Sequence, residues 1–358
     1  MVRTEFLVGR ELAAIPTPAL LLDLDVLDAN LELMASALRA KSCNIRPHMK
    51  SHKCIPIAAL QVKKGAVGIS CATVAEAEVL AHAGIQNILV ANEVVEEAKL
   101  RLLAGLARYS EIAVLVDAKD NCSQISRIAE AAGAELGVLV DVDVRLRRCG
   151  VRSPEAAVAL ARHITQLRHV RFLGLSAYEG GHGLNGDIVR TCMEKAVDTR
   201  DRLVNAGMRV EVVSGGSTGT WDLTSSYPGV TEIQAGSYAL METGYKREGV
   251  PFQIAISVLA TVVSRSKDRI VLDAGEKAIT KGLGLPILKH FPDVPTELHE
   301  EHCLLEVSSE VRNLRVGDKV ELLPSHCPTT VNLHSYYHCV RSGVVEAIWG
   351  IEGPGRVR

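Results

Sequence analysis

A short run of basic side chains and imidazoles contains the residue that is best suited to covalent chemistry. Lys50 lies within Asn44–Cys54 (NIRPHMKSHKC), with His48, His52 and Lys53 around it. Neighbouring positive charge and partial burial lower the pKa of a lysine amine, so that more of it is neutral and nucleophilic. Such an amine can form a Schiff base with an aldehyde cofactor. The alternative is a solvated basic turn.

A glycine-rich stretch later in the chain could bind an anion. Val213–Thr220 (VSGGSTGT) comes directly after an apolar run. Glycines let backbone N–H groups turn towards a phosphate, and hydroxyl side chains add donors, although a flexible surface turn would have the same composition. Gln234–Tyr238 (QAGSY) could close the same anion site. A lysine at one strand end and a phosphate cradle at late strand ends together suggest pyridoxal 5′-phosphate (PLP).

Two more stretches carry side chains that could contact such a cofactor. One arginine of Asp141–Val151 (DVDVRLRRCGV) could hydrogen-bond the phenolic oxygen of PLP, or the stretch could be a charged surface turn. Tyr178, in Leu175–Gly183, could pack against the cofactor ring. Buried tyrosines are common, so this local signal is weak by itself.

Possible ligands for a divalent metal are concentrated in Pro324–His334 (PSHCPTTVNLH). Imidazole with thiolate favours zinc, whereas carboxylate with water favours manganese or magnesium. His326 and Cys327 are the candidate ligands. A purely structural histidine in a turn is the alternative.

The chemical stretches follow predicted strands that alternate with amphipathic helices up to about residue 245. The predicted strands are Ala19–Leu24, Asn44–Pro47, Gly68–Cys71, Asn87–Ala91, Glu111–Asp117, Leu136–Asp141, Val170–Ser176, Val210–Ser214 and Thr231–Ala235. The predicted helices are Val26–Ala40, Val74–Ala83, Val94–Leu106, Asp120–Ala132, Pro154–His163 and Ile188–Ala206.

This βα alternation predicts an α/β fold with a TIM-type (β/α)8 barrel. Barrel active sites form at the C-terminal ends of the strands, where the polar and glycine-rich signals lie. No G-x-G-x-x-G follows the first strand, which counts against a dinucleotide-binding sheet. Nine candidate strands compete for eight places, and Ala19–Leu24 could instead belong to a second domain.

After about residue 245 the apolar pattern changes to period two, which predicts a smaller antiparallel β domain. Its predicted strands are Phe252–Arg265, Arg269–Asp273, Leu304–Val307, Lys319–Leu323, Tyr336–Val340 and Gly343–Trp349. We therefore expect a barrel domain over 12–245 and a β domain over 246–358, against which 1–11 could pack.

Composition excludes several classes of function. The chain has 358 residues, a formal net charge of −2 and 4% aromatic residues, so neither nucleic acid nor an anionic membrane is an expected partner. No signal peptide or membrane-spanning run is visible, and the nine cysteines form no C-x-x-C pair. We expect a cytoplasmic enzyme.

In this order, the stretches resemble the fold-type III PLP enzymes related to alanine racemase, specifically the D-threonine aldolase and D-serine dehydratase group. The R-P-H-x-K-x-H-K run combined with the S-G-G-x-T-G-T loop is a specific signature. Further matching stretches are Thr17–Ala19, Ala72–Glu78, Arg148–Val151, Ala177–Gly180, Gln234–Tyr238, Asp273–Gly275 with Lys277, and Ser325–His334.

The resemblance implies a role for each matching residue. Lys50 is similar to the Schiff-base lysine, Arg148 to the partner of the phenolic oxygen, and Tyr178 to a residue that packs on the cofactor. The residues similar to the phosphate site are Ser214, Gly215, Gly216, Ser217, Thr218, Gly236, Ser237 and Tyr238. His326 is similar to the first metal ligand. The resemblance also implies a homodimer.

The same resemblance leaves the metal open. The family usually places cysteine or aspartate two residues after the metal-binding histidine, where this chain has Pro328. Either Cys327 takes over as the second ligand for manganese, magnesium or zinc, or the site is metal-free. A related segment that usually offers an aspartate is Thr280–Gly284 (TKGLG) here, and Ser176 stands where glutamine is frequent.

The activity that the resemblance implies is a PLP-dependent lyase reaction on a β-hydroxy D-amino acid. Retro-aldol cleavage of the D-threonine aldolase type, giving glycine and an aldehyde, is favoured because dehydration would suffer most from weak metal ligation. His52 is a candidate base, although it could equally orient Lys50 or the phosphate. The alternatives are D-serine dehydratase-type deamination, an amino-acid racemase and a non-catalytic PLP carrier.

Overall fold

The computed structural model describes residues 5–352. In the first part of the chain the elements are β1 (Ala19–Asp23), α1 (Leu24–Arg39), β2 (Asn44–Ile45), α2 (Ile55–Lys63), β3 (Ile69–Cys71), α3 (Val74–His82), β4 (Ile88–Glu93), α4 (Glu97–Leu106), β5 (Ile112–Val116), α5 (Lys119–Ala132), β6 (Leu136–Asp141), α6 (Pro154–Ile164), β7 (Val170–Ser176), α7 (Gly186–Asn205), β8 (Val212–Gly215), α8 (Trp221–Ser225) and β9 (Glu232–Ile233).

The remaining elements are mostly strands. They are α9 (Thr243–Arg247), β10 (Ile256–Arg265), β11 (Arg269–Leu272), β12 (Ile287–Leu288), β13 (Thr296–Leu298), β14 (Cys303–Glu306), β15 (Lys319–Leu323), α10 (Cys327–Val331), β16 (Tyr336–Arg341) and β17 (Val344–Gly350). Every predicted strand and helix overlaps one of these elements. The short elements β12, β13 and α8 to α10 were not predicted, because so few residues carry no readable periodicity.

The first sheet confirms the predicted barrel. Its strands run in the order β2-β9-β8-β7-β6-β5-β4-β3, and each adjacent pair is parallel. A parallel bridge joins His48 to Ser70, and the Ser70 N–H donates to the Pro47 carbonyl oxygen at 2.8 Å. These contacts connect the two end strands, so the sheet closes on itself.

Apolar side chains two residues apart fill part of this sheet's core. Leu89 of β4, Ala113 and Leu115 of β5, and Leu139 of β6 form one buried cluster. Side chains at i and i+2 of a strand point to the same face, so these residues lie on one side of the sheet. The core therefore follows directly from the period-two pattern of the strands.

A buried ion pair also joins strands that are far apart in the sequence. Arg46 Nε and Nη2 donate to the two carboxylate oxygens of Glu232 at 2.9 and 3.0 Å, and Arg46 Nη1 donates to the Asn87 carbonyl oxygen at 2.7 Å. Gly68 is needed beside this pair, because a Cβ there would lie 2.0 Å from that carbonyl oxygen. Arg46, part of the basic run, is thus a structural residue of the barrel.

Side-chain caps fix the starts of several helices around the barrel. Thr73, Ser153 and Asn185 are the N-caps of α3, α6 and α7, and each side chain accepts a hydrogen bond from the backbone N–H three residues later. Helix α5 ends at Gly133, whose φ of 62° is the left-handed conformation that glycine adopts most easily. Helix lengths are therefore set largely by local sequence.

The second sheet is mostly antiparallel, as predicted for the β domain. Its main path is β13-β14-β11-β10-β1-β16-β17, and β15 pairs with β10 and β12. Strand β1 pairs with β10 and β16, so the first candidate strand, Ala19–Leu24, belongs to this sheet rather than to the barrel. One core cluster of the sheet comprises Ile15, Ala19, Leu21, Leu259, Val340 and Val345.

By internal contacts, the described chain divides into two compact units that interleave along the sequence. The barrel unit comprises 34–50 and 57–236, and the sheet unit comprises 5–33, 51–56 and 237–352. Near the N-terminus, the Gly9 N–H donates to the Val345 carbonyl oxygen at 2.8 Å within the sheet unit. The domain boundaries at 12–245 and 246–358 stay a prediction, and residues 1–4 and 353–358 lie outside the described part. Across residues 5–352, no helix is both long and apolar enough to span a membrane.

Candidate active site

Lys50 lies in a short turn, Met49–Ser51, that follows strand β2 of the barrel. Its backbone N–H donates to His48 Nδ1 at 3.4 Å, which helps to hold the turn. The Lys50 side chain is exposed, although nearby protein atoms remove part of the water around the amine. This desolvation lowers the pKa of Lys50, the positive charge of Arg148 lowers it further, and the Glu76 carboxylate opposes both effects.

Tyr178 brings the other two predicted cofactor contacts together. Its ring follows strand β7, with Lys50 Nζ 5.9 Å and Arg148 Cζ 5.7 Å from the ring centroid. Both distances are within the range of cation–π attraction. Burial raises the pKa of the Tyr178 hydroxyl, and the Glu179 charge raises it further. Three residues that are separated by up to about 130 positions therefore form one cluster in the barrel unit, and their roles towards PLP stay a prediction.

The glycine-rich loop does bind an anion in this structure, and that anion is a side chain of the protein. The fully buried carboxylate of Glu179 accepts hydrogen bonds from the Gly216 N–H at 2.9 Å, Thr220 Oγ1 at 2.7 Å and Thr224 Oγ1 at 2.6 Å. Sequence reasoning missed this residue. Its position directly after Tyr178 was the available signal.

Two hydroxyls of the predicted phosphate site are also engaged within the chain. Ser214 Oγ donates to Glu232 at 2.8 Å and accepts from Gln234 Nε2 at 2.9 Å. Ser217 Oγ lies 3.1 Å from Thr220 Oγ1 and accepts from the Thr220 N–H at 3.3 Å. These hydrogen bonds order the loop through contacts within the chain itself.

The other predicted phosphate residues are divided between the two units. Gly215, Thr218 and Gly236 belong to the barrel unit, and Gly215 is the last residue of β8. Ser237 and Tyr238 belong to the sheet unit, where both are buried. The phosphate role of all these residues stays a prediction.

A cluster of carboxyl groups that the sequence did not reveal lies near Arg148. The pKa of Asp141 is raised to about 7, first by burial, then by the charge of Glu93 and a hydrogen bond with it, and also by the charge of Asp117, whereas Arg148 lowers it. The Gly150 N–H donates to Asp117 at 3.1 Å, which orders the same segment. Near neutral pH the Asp141 carboxyl therefore holds a proton part of the time.

This raised pKa predicts a specific pH dependence of stability. Between pH 3.8, the unperturbed pKa of Asp141, and about pH 7, the folded protein binds more protons at this carboxyl than the unfolded chain does. The contribution of Asp141 to the free energy of unfolding therefore falls as pH rises through this range. Above pH 7 the full cost of burying the ionised carboxylate is present. Asp141→Asn removes this cost. We expect the difference in free energy of unfolding between the variant and the wild type to be more favourable to the variant at pH 8 than at pH 5, by roughly 2 kcal/mol.

Urea unfolding at both pH values measures this effect. The exposed variant Asp293→Asn is the control and should follow the wild-type pH profile. If the free energy of unfolding of Asp141→Asn changed with pH in the same way as that of the wild type, the raised pKa of Asp141 would be contradicted.

Glu76 is a second acidic residue that sequence reasoning did not assign to the site. It is buried, its Oε2 accepts from the Ala72 N–H at 2.7 Å, and its own N–H donates to the Thr73 hydroxyl at 3.2 Å. This exchange ties the carboxylate to the start of α3, and the T-x-x-E spacing of a capping box was the available signal. The fixed negative charge acts on Lys50.

His52, the candidate base, is held in a structural network of the sheet unit. The ring is fully buried, and its Nδ1 accepts a hydrogen bond from the Cys54 N–H at 3.1 Å. The His52 carbonyl oxygen accepts from the Tyr337 hydroxyl at 2.7 Å. Its role as a base stays a prediction.

The two candidate metal ligands occupy different environments. His326 is partly exposed and its Nδ1 lies 2.8 Å from Thr329 Oγ1. Cys327 is fully buried, and its backbone N–H donates to the Glu242 carboxylate at 2.6 Å. Burial and the Glu242 charge raise the pKa of the Cys327 thiol. Within residues 5–352, no group of three histidine, cysteine, aspartate or glutamate side chains is arranged to hold a metal ion.

Comparison with known proteins identifies the family. The alanine racemase N-terminal domain matches residues 22–244, and a serine dehydratase domain matches residues 255–340. The chain is 39% identical to D-threonine aldolase of Arthrobacter sp. and 36% identical to 3-hydroxy-D-aspartate aldolase of Paracoccus denitrificans, covering 97% and 98% of this chain and 95% of each relative.

A solved structure shows the same fold. The D-threonine aldolase from Filomicrobium marinum superposes with a TM-score of 0.95 at 36% identity, covering 98% of this chain and 99% of that one. The superposition covers both the barrel and the second sheet of this chain. The chain therefore belongs to the fold-type III pyridoxal-phosphate enzymes of the D-threonine aldolase and D-serine dehydratase family, and it is a PLP-dependent lyase.

Proposed function

We propose that this lyase acts on β-hydroxy D-amino acids, cleaves a substrate of the D-threonine type into glycine and an aldehyde, and works as a homodimer. The observation that carries the proposal is the cluster of Lys50, Arg148 and Tyr178, in which an amine of lowered pKa and a guanidinium contact one aromatic ring. The names of the aldolase relatives at 36–39% identity support the substrate class.

The residues of the cluster fit PLP. Bound PLP supplies an electron sink that stabilises the negative charge left at the substrate's α-carbon. Lys50 would hold the cofactor through Nζ, and its lowered pKa increases the share of neutral, nucleophilic amine. Arg148 would donate to the phenolic oxygen, and Tyr178 would exclude water from one side of the ring.

The chain's groups must then move two protons. A base takes the proton of the β-hydroxyl while Cα–Cβ breaks and the aldehyde leaves, and a proton added at Cα completes glycine. Lys50 Nζ is the group that we assign to Cα. Dehydration is the second candidate, but the departing hydroxide needs strong electrophilic help, and the donor set around His326 does not fit a metal. The dehydratase relative from Delftia is also more distant, at 27% identity.

Product analysis tests the proposal directly. The cofactor-loaded protein is incubated with D-threonine, 3-hydroxy-D-aspartate, D-serine and D-alanine, with L-threonine as the stereochemical control. We expect glycine plus acetaldehyde from D-threonine and none from L-threonine. Pyruvate and ammonia from D-serine alone would instead indicate a dehydratase, L-alanine from D-alanine a racemase, and retained cofactor without any product a PLP carrier.

A further inference from the structure

The turn that carries His326 lacks the ligands that a resident divalent metal needs. Zinc sites combine three or four imidazole, thiolate or carboxylate ligands, and a magnesium or manganese site that is completed by water still needs one or two carboxylates. Among the described residues 5–352, no group of three or more histidine, cysteine, aspartate or glutamate side chains is arranged to hold a metal ion. A hydroxyl lies directly beside His326, with Thr329 Oγ1 2.8 Å from His326 Nδ1. Neutral hydroxyls are weak ligands, so this environment suits hydrogen bonding.

Cys327 does not replace the missing ligand. It is the first residue of helix α10, and its side chain is fully buried whereas His326 is partly exposed. His326 is the N-cap of α10 and has an extended backbone, whereas Cys327 is helical, so the two side chains leave the chain from different backbone conformations and lie in different environments. The Cys327 backbone N–H is bound to Glu242, which fixes this orientation. This hydrogen bond opposes the backbone shift that Cys327 would need to act as a ligand.

Two positions next to His326 account for the lost ligands. Pro328 has no donor atom in its side chain. Gly282 lies across from the histidine, because a Cβ built there would be 4.0 Å from His326 Cβ, 3.9 Å from Thr329 Oγ1 and 3.4 Å from Thr280 Oγ1. These are ordinary contact distances, so position 282 has room for a side chain and carries none.

We propose that His326, Thr329 and Thr280 form a metal-free imidazole–hydroxyl cluster, and that catalysis by this chain uses no divalent cation at this turn. The chain departs here from the metal site that its family implies. Only the catalytic part of this inference rests on the proposed aldolase function. Metal binding is a property of the protein alone and is measured without substrate.

The first test measures metal in the wild-type protein. The cofactor-loaded protein is treated with EDTA, dialysed against Mn²⁺ or Zn²⁺ and analysed by elemental mass spectrometry, with His326→Ala beside it. We expect well below one ion per chain and no difference between the two proteins. One ion per wild-type chain that His326→Ala loses would overturn the proposal.

The second test restores the ligands. In Gly282→Asp combined with Pro328→Asp, two carboxylates are placed beside His326, and the new aspartate in the first turn of α10 is also compatible with the helix dipole. We expect Mn²⁺ affinity, measured by calorimetry, to rise at least tenfold over wild type and to fall back when His326→Ala is added. The combination Gly282→Ala with Pro328→Ala controls for shape. A folded double-aspartate variant with wild-type affinity would contradict the assignment of these two positions.

The last test measures activity, and its outcomes distinguish the metal-free cluster from the proposed aldolase function. Acetaldehyde formation that is unchanged by EDTA supports both. Acetaldehyde that disappears with EDTA and returns with Mn²⁺ would overturn the metal-free cluster and leave the aldolase function intact. If no product forms and no metal binds, the aldolase function fails while the absence of a metal site at His326 stands.

Discussion

Lys50→Ala is expected to lower kcat/KM for aldehyde formation by at least about 10³-fold, equivalent to about 4 kcal/mol of transition-state stabilisation. The variant removes the amine through which the cofactor would be attached and the group that we assign to proton transfer at Cα. The measurement is the initial rate of acetaldehyde formation from D-threonine. Borohydride reduction followed by peptide mass spectrometry should also find the cofactor on Lys50 in the wild type and on no lysine in the variant.

Two further variants separate the amine's chemistry from its charge. Lys50→Arg keeps a cation near the Tyr178 ring, but a guanidinium does not attack an aldehyde productively, so we expect a loss as large as in Lys50→Ala. Lys63→Ala changes an exposed lysine at the end of α2 and should keep wild-type activity. A Lys50→Ala rate within tenfold of wild type would rule out Lys50 as the attachment residue.

Glu179→Ala is expected to lower the free energy of unfolding by on the order of 3 kcal/mol, because it leaves buried donors without an acceptor. The donors are the Gly216 N–H and the hydroxyls of Thr220 and Thr224. The glycine-rich loop and the start of α8, which carry these donors, should become more mobile together with the adjacent Tyr178. We therefore also expect weaker PLP binding. Urea unfolding measures the first effect, and titration of the apoprotein with PLP measures the second.

Glu179→Gln tests whether the charge or the shape matters. The threonine hydroxyls can rotate to donate to the amide oxygen or accept from the amide nitrogen, whereas the Gly216 N–H can only donate. We therefore expect a smaller loss of stability than for Glu179→Ala. Glu155→Gln, at an exposed carboxylate, is the control and should unfold like wild type. Equal urea midpoints for Glu179→Ala and this control would show that the buried carboxylate does not hold the loop.

The local pattern of the sequence predicted most of the fold. Period-two and period-3.6 runs identified the strands and helices of the barrel, because burial on one face leaves a repeat that a few neighbouring residues reveal. The basic run placed Lys50 at a strand end in the same way. Tyr178 and an arginine of Asp141–Val151 were expected at the site from their positions after two other strands, and the family resemblance singled out Arg148. A closed barrel brings such strand ends to one face.

Only the tertiary structure decided which distant residues meet. Arg46 pairs with Glu232, 186 positions later, and Glu179 binds a loop 37 to 45 positions later. The partners of a buried polar group depend on which strands become neighbours, and short-range periodicity carries no record of that. For the same reason the sequence predicted an anion in the glycine loop but could not show that the chain supplies one itself. Residue types and their order predicted the chemistry of the site, whereas the hydrogen-bond and charge partners of those residues could be identified only in the folded chain.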